Sequence, residues 1–279
     1  MKVIKKASAP VRIDFSGGTT DISPFKDKYG GCVLNAAINK RISGEFVASD
    51  KGVGLRYSGN IPTSSGLGTS GVMSLVWLTL ISQTRDKIKL AEQVYDLEQS
   101  IGQTGGKQDQ YAGALGGINF FEFKKDKVKV HRLKLPKSFI KKFEDHLVLI
   151  YTGIPHLTTS TNKAMMDNLR KGKNTKNLLR IKKIAIDMKN ALLKKDLDKF
   201  AQLMNEETKE RIKLHKSIVP LNIRKIIDSG MKSGAIGAKV CGSGGGGSIL
   251  FFGDKRTLKK KFGKKVIDFK FDFEGLKWS

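Results

Sequence analysis

From Thr63 to Gly71 the chain reads TSSGLGTSG, small, polar and rich in glycine, and it runs directly into VMSLVWLTLI. Few folds accommodate that junction, because a hydroxyl-rich loop must deliver a helix apolar enough to be buried. Gly66 and Gly68 can take backbone angles closed to other residues, so successive N–H groups can point into one concavity. The positive end of the following helix falls at the same place. A phosphate fits this description. A plain Gly/Ser loop fits the same letters, and the stretch alone does not choose between the two.

The 279 residues are enough for one large domain or two ordinary ones, and 39% hydrophobic content supports a real core. Cys32 and Cys241 offer neither a disulfide framework nor a metal cluster, which suggests a reducing, cytoplasmic setting. His131, His146, His156 and His215 are scattered without zinc spacing. The start, MKVIKKASAP, lacks the apolar core of a signal peptide. The longest apolar run, near Val72–Ile81, is too short to span a bilayer. The net charge of +26 would suit a polyanion. Most of it is lysine spread through the chain, and aromatics are not interleaved for base stacking. It reads as a solvated surface, with no specific nucleic-acid partner and no membrane.

The first sixty residues read as strands and turns: Val3–Ala7, Val11–Phe15, a turn at Gly17-Gly18, Cys32–Ile38, Ile42–Ala48 and Val53–Tyr57. Helices are expected over Ser70–Ser82 and Lys87–Ile101, the second stopped by Gly102. Gly113–Phe123 reads as a turn and strand, with Val128–Leu135 as its hairpin partner. The strand LVLIYT, Leu147–Thr152, opens a second half with helices over Thr159–Arg170, Lys176–Lys194, Leu197–Glu210 and Ile223–Ser233. Ala238–Val240, Ser248–Phe252 and Ile267–Phe273 read as strands. The boundary falls near Glu144–His146, after KKFEDH, and the segregated pattern predicts an α+β fold without internal repeats.

Three further stretches could carry chemistry. In APVRIDFSGGTTD, Arg12 and Asp21 flank a glycine turn, as a polyol site would require; a charged β-turn reads the same way. In YDLEQSIGQTGGKQDQYAG, Ala91, Val94, Glu98 and Ile101 share one helical face. A glutamate in such a stripe either sits at its wet edge or is buried beside a cation. Asp109 lies past a Gly-Gly turn between Gln108 and Gln110, within what is otherwise a polar loop. No Walker A motif is present, since Ile101 stands where its first Gly belongs and Gln108 where Ser or Thr belongs. In KVCGSGGGGSILFF, four consecutive glycines between two strands imply close backbone approach, or else a loose hairpin.

The order Arg12, SSGLGTS, Glu98, Asp109, GSGGGG resembles that of the GHMP kinases, named for galacto-, homoserine, mevalonate and phosphomevalonate kinases. Within the family SAPVRIDFSGGTTD, YGGCVLNAAIN and GKQDQYAGALGGINFFEF look most like the heptose 7-phosphate kinases and related sugar kinases. The resemblance spans nearly the whole chain. It implies an N-terminal α+β ATP-binding domain, residues 1–145, and a C-terminal ferredoxin-like α+β domain, residues 146–279, with the active site between them. It implies ATP held by Ser65, Gly66, Leu67, Gly68, Thr69 and Ser70, and Mg2+ ligated by Ser70 and Glu98. Asp109 would be the catalytic carboxylate, Arg12 its charge-stabilising partner, and Asp21, Gly18 and Gln108 the acceptor contacts. Gly244 to Gly247 would lie against the nucleotide loop. GGTTD stands where galactokinases carry Glu-His-Thr-Asp, which puts galactose itself in doubt.

The expected activity is ATP-dependent phosphoryl transfer to a sugar or sugar phosphate, by a monomer or homodimer. A mevalonate-type or other small-alcohol kinase is the alternative within the family. A non-catalytic basic RNA-binding protein is the alternative outside it, and the presence of both Glu98 and Asp109 speaks against that.

Overall fold

Lys2–Ser16 form one strand, β1, where the sequence suggests two. Bulges at Val3/Lys5, Pro10/Arg12 and Asp14/Ser16 take up the irregularities, including Pro10, which has no N–H to give. The computed structural model describes residues 2–50, 52–62, 64–103, 105–155 and 165–278. Along VRIDFS the alternation is strict. Val11, Ile13 and Phe15 enter the main core, which leaves Arg12, Asp14 and Ser16 to the opposite face.

β2 is likewise one strand, Gly31–Ser49, joining two expected runs through the polar Asn39–Arg41. It pairs antiparallel with β1, with β3 (Gly52–Gly59) and with β4 (Ile118–Lys124), and β4 pairs with β5 (Lys127–Arg132). β10 (Lys277–Trp278) closes the other edge beside β1, so the end of the chain returns to the first sheet. Helices α2 (Thr69–Ile81) and α3 (Lys87–Ser100) fall within a residue of the expected spans, α2 as the apolar run after the glycine-rich loop and α3 with an apolar stripe. Three elements of this half escape the sequence pattern: α1 (Phe25–Tyr29), α4 (Gln108–Leu115) and α5 (Lys137–His146). α4 is short and buries nearly every position, so it has no polar face from which to read a helical period.

The second half opens with β6 (Leu147–Tyr151), just past the expected boundary. The helix expected over residues 159–170 begins outside the described residues; residues 165–170 are helical. Then come α6 (Thr175–Leu193), α7 (Leu197–Leu214), α8 (Leu221–Met231), β7 (Ala235–Val240), β8 (Ser248–Gly253), α9 (Lys255–Phe262) and β9 (Val266–Ile267). The antiparallel order β7-β8-β6-β9 is the expected ferredoxin-like one, which completes the α+β fold. Two corrections apply. α9 was not read from its lysine-rich sequence, and the strand expected over Ile267–Phe273 is short, with Phe271 making a single bridge to Ile38.

β6 shows how the halves are joined. Leu147 and Leu149 enter the core shared with β1 and β2, while Val148 and Ile150 enter a second core under α6 and α8. Both faces are dry, which is why LVLIY carries no alternation. Packing against both sheets holds the end of β1 opposite the loops that follow β3 and β7.

Candidate active site

A cavity of about 510 Å³ opens where those segments meet. Its lining includes Arg12, Gly18 and Asp21 from the end of β1 and the turn after it. The loop before α2 adds Ser65, Gly66, Gly68, Thr69 and Ser70. Glu98, Gln108 and Asp109 complete the set. Leu67 alone among the expected site residues turns away: its side chain is in the core and its carbonyl accepts from the Arg12 N–H at 3.0 Å.

The loop before α2 is built from left-handed backbone. Ser64, Gly66 and Gly68 have φ of 56°, 75° and 77°. A Cβ on Gly68 would meet the Asp109 carboxyl carbon at 2.9 Å, so glycine there makes room for the carboxylate as well as for the turn. Gly68 is also the N-cap of α2, with no side chain capping it. The first N–H groups of a 13-residue helix therefore begin beside the cavity, an arrangement that suits an anion.

The glycines after β7 back this loop. A Cβ on Gly242 would lie 2.7 Å from the Gly66 carbonyl oxygen, and one on Gly247 would lie 2.7 Å from that of Ser65. Gly246 instead faces Ile154 and Pro155, and Gly244 faces Ile218. Of the run Gly244–Gly247, then, one member meets the loop; Gly242, upstream of the run, does the rest.

Arg12 and Asp109 meet across the cavity. Arg12 Nε donates to Asp109 Oδ1 at 2.8 Å, Nη2 lies 2.7 Å from the same oxygen, and Nη1 donates to the Gly66 carbonyl at 2.8 Å. Burial works against the Arg12 charge, but Asp109 and then Asp14 outweigh it and raise its pKa. Asp109 sits in the first turn of α4, whose positive end favours a carboxylate, rather than in the polar loop that GGKQDQ suggests. Its side chain keeps 25% exposure, against 4% for Arg12. Lys107 points elsewhere. It is bonded to Glu92 and stands 4.7 Å from the centre of the Tyr95 ring.

Asp21 is fully buried, and its Oδ2 accepts from the Gln108 N–H at 3.2 Å. Gly106 leaves the space that this carboxylate fills. Burial first, then the negative charge of Asp109, push Asp21 up from its ordinary 3.8 to about 6, although the Gln108 N–H opposes them. Among the described residues Asp21 Oδ1 and the side-chain oxygen of Gln108 have no hydrogen-bond partner.

Glu98 is buried with Leu90, Ala91 and Val94 on α3, so the wet-edge alternative does not hold; Ile101, expected on the same face, is 65% exposed beyond the helix end. Glu98 Oε2 accepts from Gln110 Nε2 at 2.5 Å, and among the described residues Oε1 has no hydrogen-bond partner. Burial raises its pKa, and Asp109 adds to the rise against the hydrogen bonds of Ser74 and Gln110. An idle buried carboxylate oxygen beside a hydroxyl-bearing loop fits a hard cation completed by oxygen ligands. Among the described residues no group of three or more His, Cys, Asp or Glu side chains forms a metal site, so such a cation would need oxygens from a ligand.

Four further charges, none of them singled out from sequence, form a buried cluster that reaches the cavity wall through Arg211, with Asp14, Glu207 and Lys239 behind it. Asp14 Oδ2 is 3.1 Å from Lys239 Nζ and 3.6 Å from Arg211 Nη2. Arg211 Nε donates to Glu207 Oε1 at 2.7 Å, and Lys239 Nζ is 3.8 Å from the same oxygen. Burial alone would raise the Asp14 pKa, yet Lys239, Arg211 and Arg12 bring it below the ordinary carboxylate value. The signals were there: a polar residue at every second position of VRIDFS, two of them charged, and a lysine inside the apolar strand AIGAKV. Arg211 lay one residue past the expected end of its helix, which in fact runs to Leu214.

Comparison with known proteins fits this geometry. The model of the GHMP kinases N terminal domain matches residues 31–117, and that of the GHMP kinases C terminal matches residues 188–269. The chain is 28% identical to D-glycero-alpha-D-manno-heptose 7-phosphate kinase of Campylobacter jejuni over 99% of both chains. It is 27% identical to L-fucokinase/L-fucose-1-P guanylyltransferase of Bacteroides fragilis over 86% of this chain, but it spans 34% of that longer protein. Among solved structures, a D-glycero-D-manno-heptose 1-phosphate kinase from Bacteroides thetaiotaomicron superposes with a TM-score of 0.78 over 99% of each chain, at 24% identity, a likeness of fold.

Proposed function

Because the chain belongs to the GHMP kinases, we propose that it transfers the γ-phosphoryl group of ATP to a hydroxyl of a sugar or sugar phosphate, with heptose phosphates the first candidates. The observation that carries this reading is the Arg12–Asp109 pair, set in one cavity with the uncapped start of α2 and the buried carboxylate of Asp21. We assign residues 1–145 to the ATP-binding unit and 146–279 to the C-terminal unit, whose last strand crosses back to the first sheet.

Ser70 and Glu98 would hold magnesium, which when bound would offset charge on the phosphates of ATP, the phosphoryl donor. The chain's own part is positioning. The N–H groups from Ser65 to Ser70 bind phosphate oxygens. Asp21 and the idle oxygen of Gln108 orient the acceptor through its hydroxyls, with Gly18 in the wall of the same cavity. Asp109 accepts the proton of the reacting hydroxyl, and Arg12 stabilises the charge that develops beside it. Since a loose phosphoryl-transfer transition state asks for alignment more than for a strong base, the fixed Arg12–Asp109 geometry matters more than basicity. The free, buried Cys32 and Cys241 suit a reducing cytoplasm, and among the described residues no helix is long and apolar enough to cross a membrane.

The test is a panel of neutral sugars, sugar 1- and 7-phosphates and mevalonate, each with ATP and magnesium, read as ADP release. Turnover confined to sugars or their phosphates is expected. ADP release with mevalonate alone, or with no acceptor in the panel, would overturn the reading.

A further inference from the structure

We propose that Arg211 is a positioning residue for the acceptor: it holds the turn that carries Asp21 at its working distance from Asp109. The inference rests on the kinase reading for what the turn is for, but not for the fact of its being held.

Arg211 lies on α7 in the second half of the chain and is 1% exposed. Its three nitrogens serve three different elements. Nε is bonded to Glu207 one turn back on the same helix. Nη2 donates to the Gly18 carbonyl at 2.9 Å, and Nη1 donates to the Gly242 carbonyl at 3.1 Å. A guanidinium spans two such carbonyls because its donors diverge in a fixed plane; a lysine ammonium carries the same charge but has no such fork.

The turn needs holding. Thr19 adopts φ 81° and is not glycine, so the segment from Gly17 to Asp21 carries a backbone conformation that its sequence does not favour. Thr20 Oγ1 donates to the Gly17 carbonyl at 2.7 Å and ties the far end of the turn to Cys32 on β2, accepting from the Cys32 N–H at 3.0 Å, whereas the Gly18 end is tied to the second half of the chain by Arg211. Thr20 N–H donates to the Gly17 carbonyl at 3.0 Å, and Ile22 N–H donates to that of Thr19 at 3.2 Å. Gly18 is shaped around Asp14 and the arginine together, since a Cβ there would come within 2.4 Å of Asp14 Oδ2 and 2.7 Å of Arg211 Nη2. The other end of the clamp is firm, because Gly242 packs directly on Gly66. Arg211 thus measures the acceptor turn against the loop before α2 through backbone alone.

Asp14 and Glu207 are both buried acids that the Arg211 charge helps to neutralise, so simple removal of the arginine risks the fold. Two variants avoid this. Arg211→Lys keeps the charge and loses the fork. Arg211→Met combined with Glu207→Gln removes one charge of each sign and leaves the Asp14–Lys239 pair intact.

Hydrogen–deuterium exchange read by mass spectrometry on parent and both variants is the deciding measurement, and it does not depend on turnover. Amides of residues 18–22 should exchange at least about tenfold faster in both variants, with those of 65–70 unchanged. In steady-state kinetics the acceptor KM should rise about tenfold or more while ATP KM and kcat stay within about threefold, as misplacement of one substrate predicts. Unchanged protection of 18–22 overturns the proposal, and so does equal loss of acceptor and ATP affinity, which would mark a merely structural residue. If the parent releases ADP with no sugar in the panel, the kinase reading fails, and the exchange result still decides whether Arg211 holds the turn.

Discussion

Two arginine-centred clusters lie on one face of β1, and they are built to opposite ends. Arg12 meets Asp109 at the cavity wall, and the carboxylate keeps a quarter of its side-chain surface exposed. Arg211 meets Glu207, Asp14 and, through them, Lys239, all of them buried. The open pair leaves a carboxylate able to take a new partner. The closed cluster balances two acids against two bases and spends its remaining donors on backbone carbonyls of Gly18 and Gly242. The lesson is that charge content does not locate chemistry. An ion pair that is closed on itself serves geometry, and one with room beside it serves a ligand.

The strongest test of that division is Asp109→Asn. It keeps size and most hydrogen bonding but removes the carboxylate from an open pair. It should lower kcat by about 10²–10⁴, the usual range for a positioned acid–base group, and lower the melting temperature less than Lys239→Met does, because Asp109 is partly exposed and the buried Arg12 keeps the charge of Asp14 nearby. Stopped assays for ADP together with calorimetry check both halves. Parent-like turnover would return Asp109 to the status of a helix-start residue and leave the site to Arg12 and the loop before α2.

The counterpart on the closed side is Lys239→Met. It strips one base from the cluster and leaves Asp14 and Glu207 to share Arg211. A buried acid deprived of its partner costs about 3–5 kcal/mol. Urea denaturation should show a loss of that size. The residual folded enzyme at low temperature should keep an acceptor KM closer to the parent's than Arg211→Lys does. If stability is unchanged, the cluster is not closed in the sense argued.

Asp21 sits between the two regimes, buried like Asp14 but, among the described residues, with no cation in ion-pair range, the Arg211 charge reaching it only from farther off. Its folded pKa, about 6, lies above its ordinary 3.8. A carboxyl raised in this way favours the fold when protonated, so its contribution is fully present below the unfolded value and is lost as pH rises through about 6. Asparagine carries no charge at any pH. Asp21→Asn should therefore be more stable than the parent at pH 8 by up to about 2–3 kcal/mol, with the advantage vanishing below pH 4. The same variant should bind acceptor poorly. An advantage independent of pH would mean that Asp21 is not held against its charge.

The legible part of this molecule is the part written in short-range patterns. The loop from Ser65 to Ser70 announced itself by glycine and hydroxyl content, α2 by the length of its apolar run, and α3 and α7 by apolar spacing. Asp109 was found while its helix was not, because α4 buries nearly all of its eight residues and shows no period. β1 and β2 read as pairs of strands, since Pro10 and Asn39–Arg41 look like breaks until a bulge or an exposed stretch absorbs them. The closed cluster was illegible for a stronger reason. Its members come from positions 14, 207, 211 and 239, so long-range packing rather than any local pattern makes them partners.

The finest distinction is between Glu98 and the closed acids. Asp14 and Glu207 also have one oxygen each without a hydrogen bond, but each has basic nitrogens within ion-pair range. Among the described residues Glu98 has no ion-pair partner; its neighbours are Gln110 and Ser74. A carboxylate in that position must find a cation or hold a proton, and its raised pKa shows which way it leans when alone. If the answer in the working enzyme is magnesium, binding must displace the proton, and the magnesium requirement should ease as pH rises from 6 to 8. Glu98→Gln removes that proton from the equilibrium along with the ligand charge. Its half-saturating magnesium should then rise about tenfold, worth ~1.4 kcal/mol, and lose most of its dependence on pH. ATP turnover titrated with magnesium at several pH values reads both effects. A Glu98→Gln titration that overlays the parent at every pH would mean that Glu98 resolves its burial with a proton, and that the metal must be held by Ser70 and the nucleotide without it.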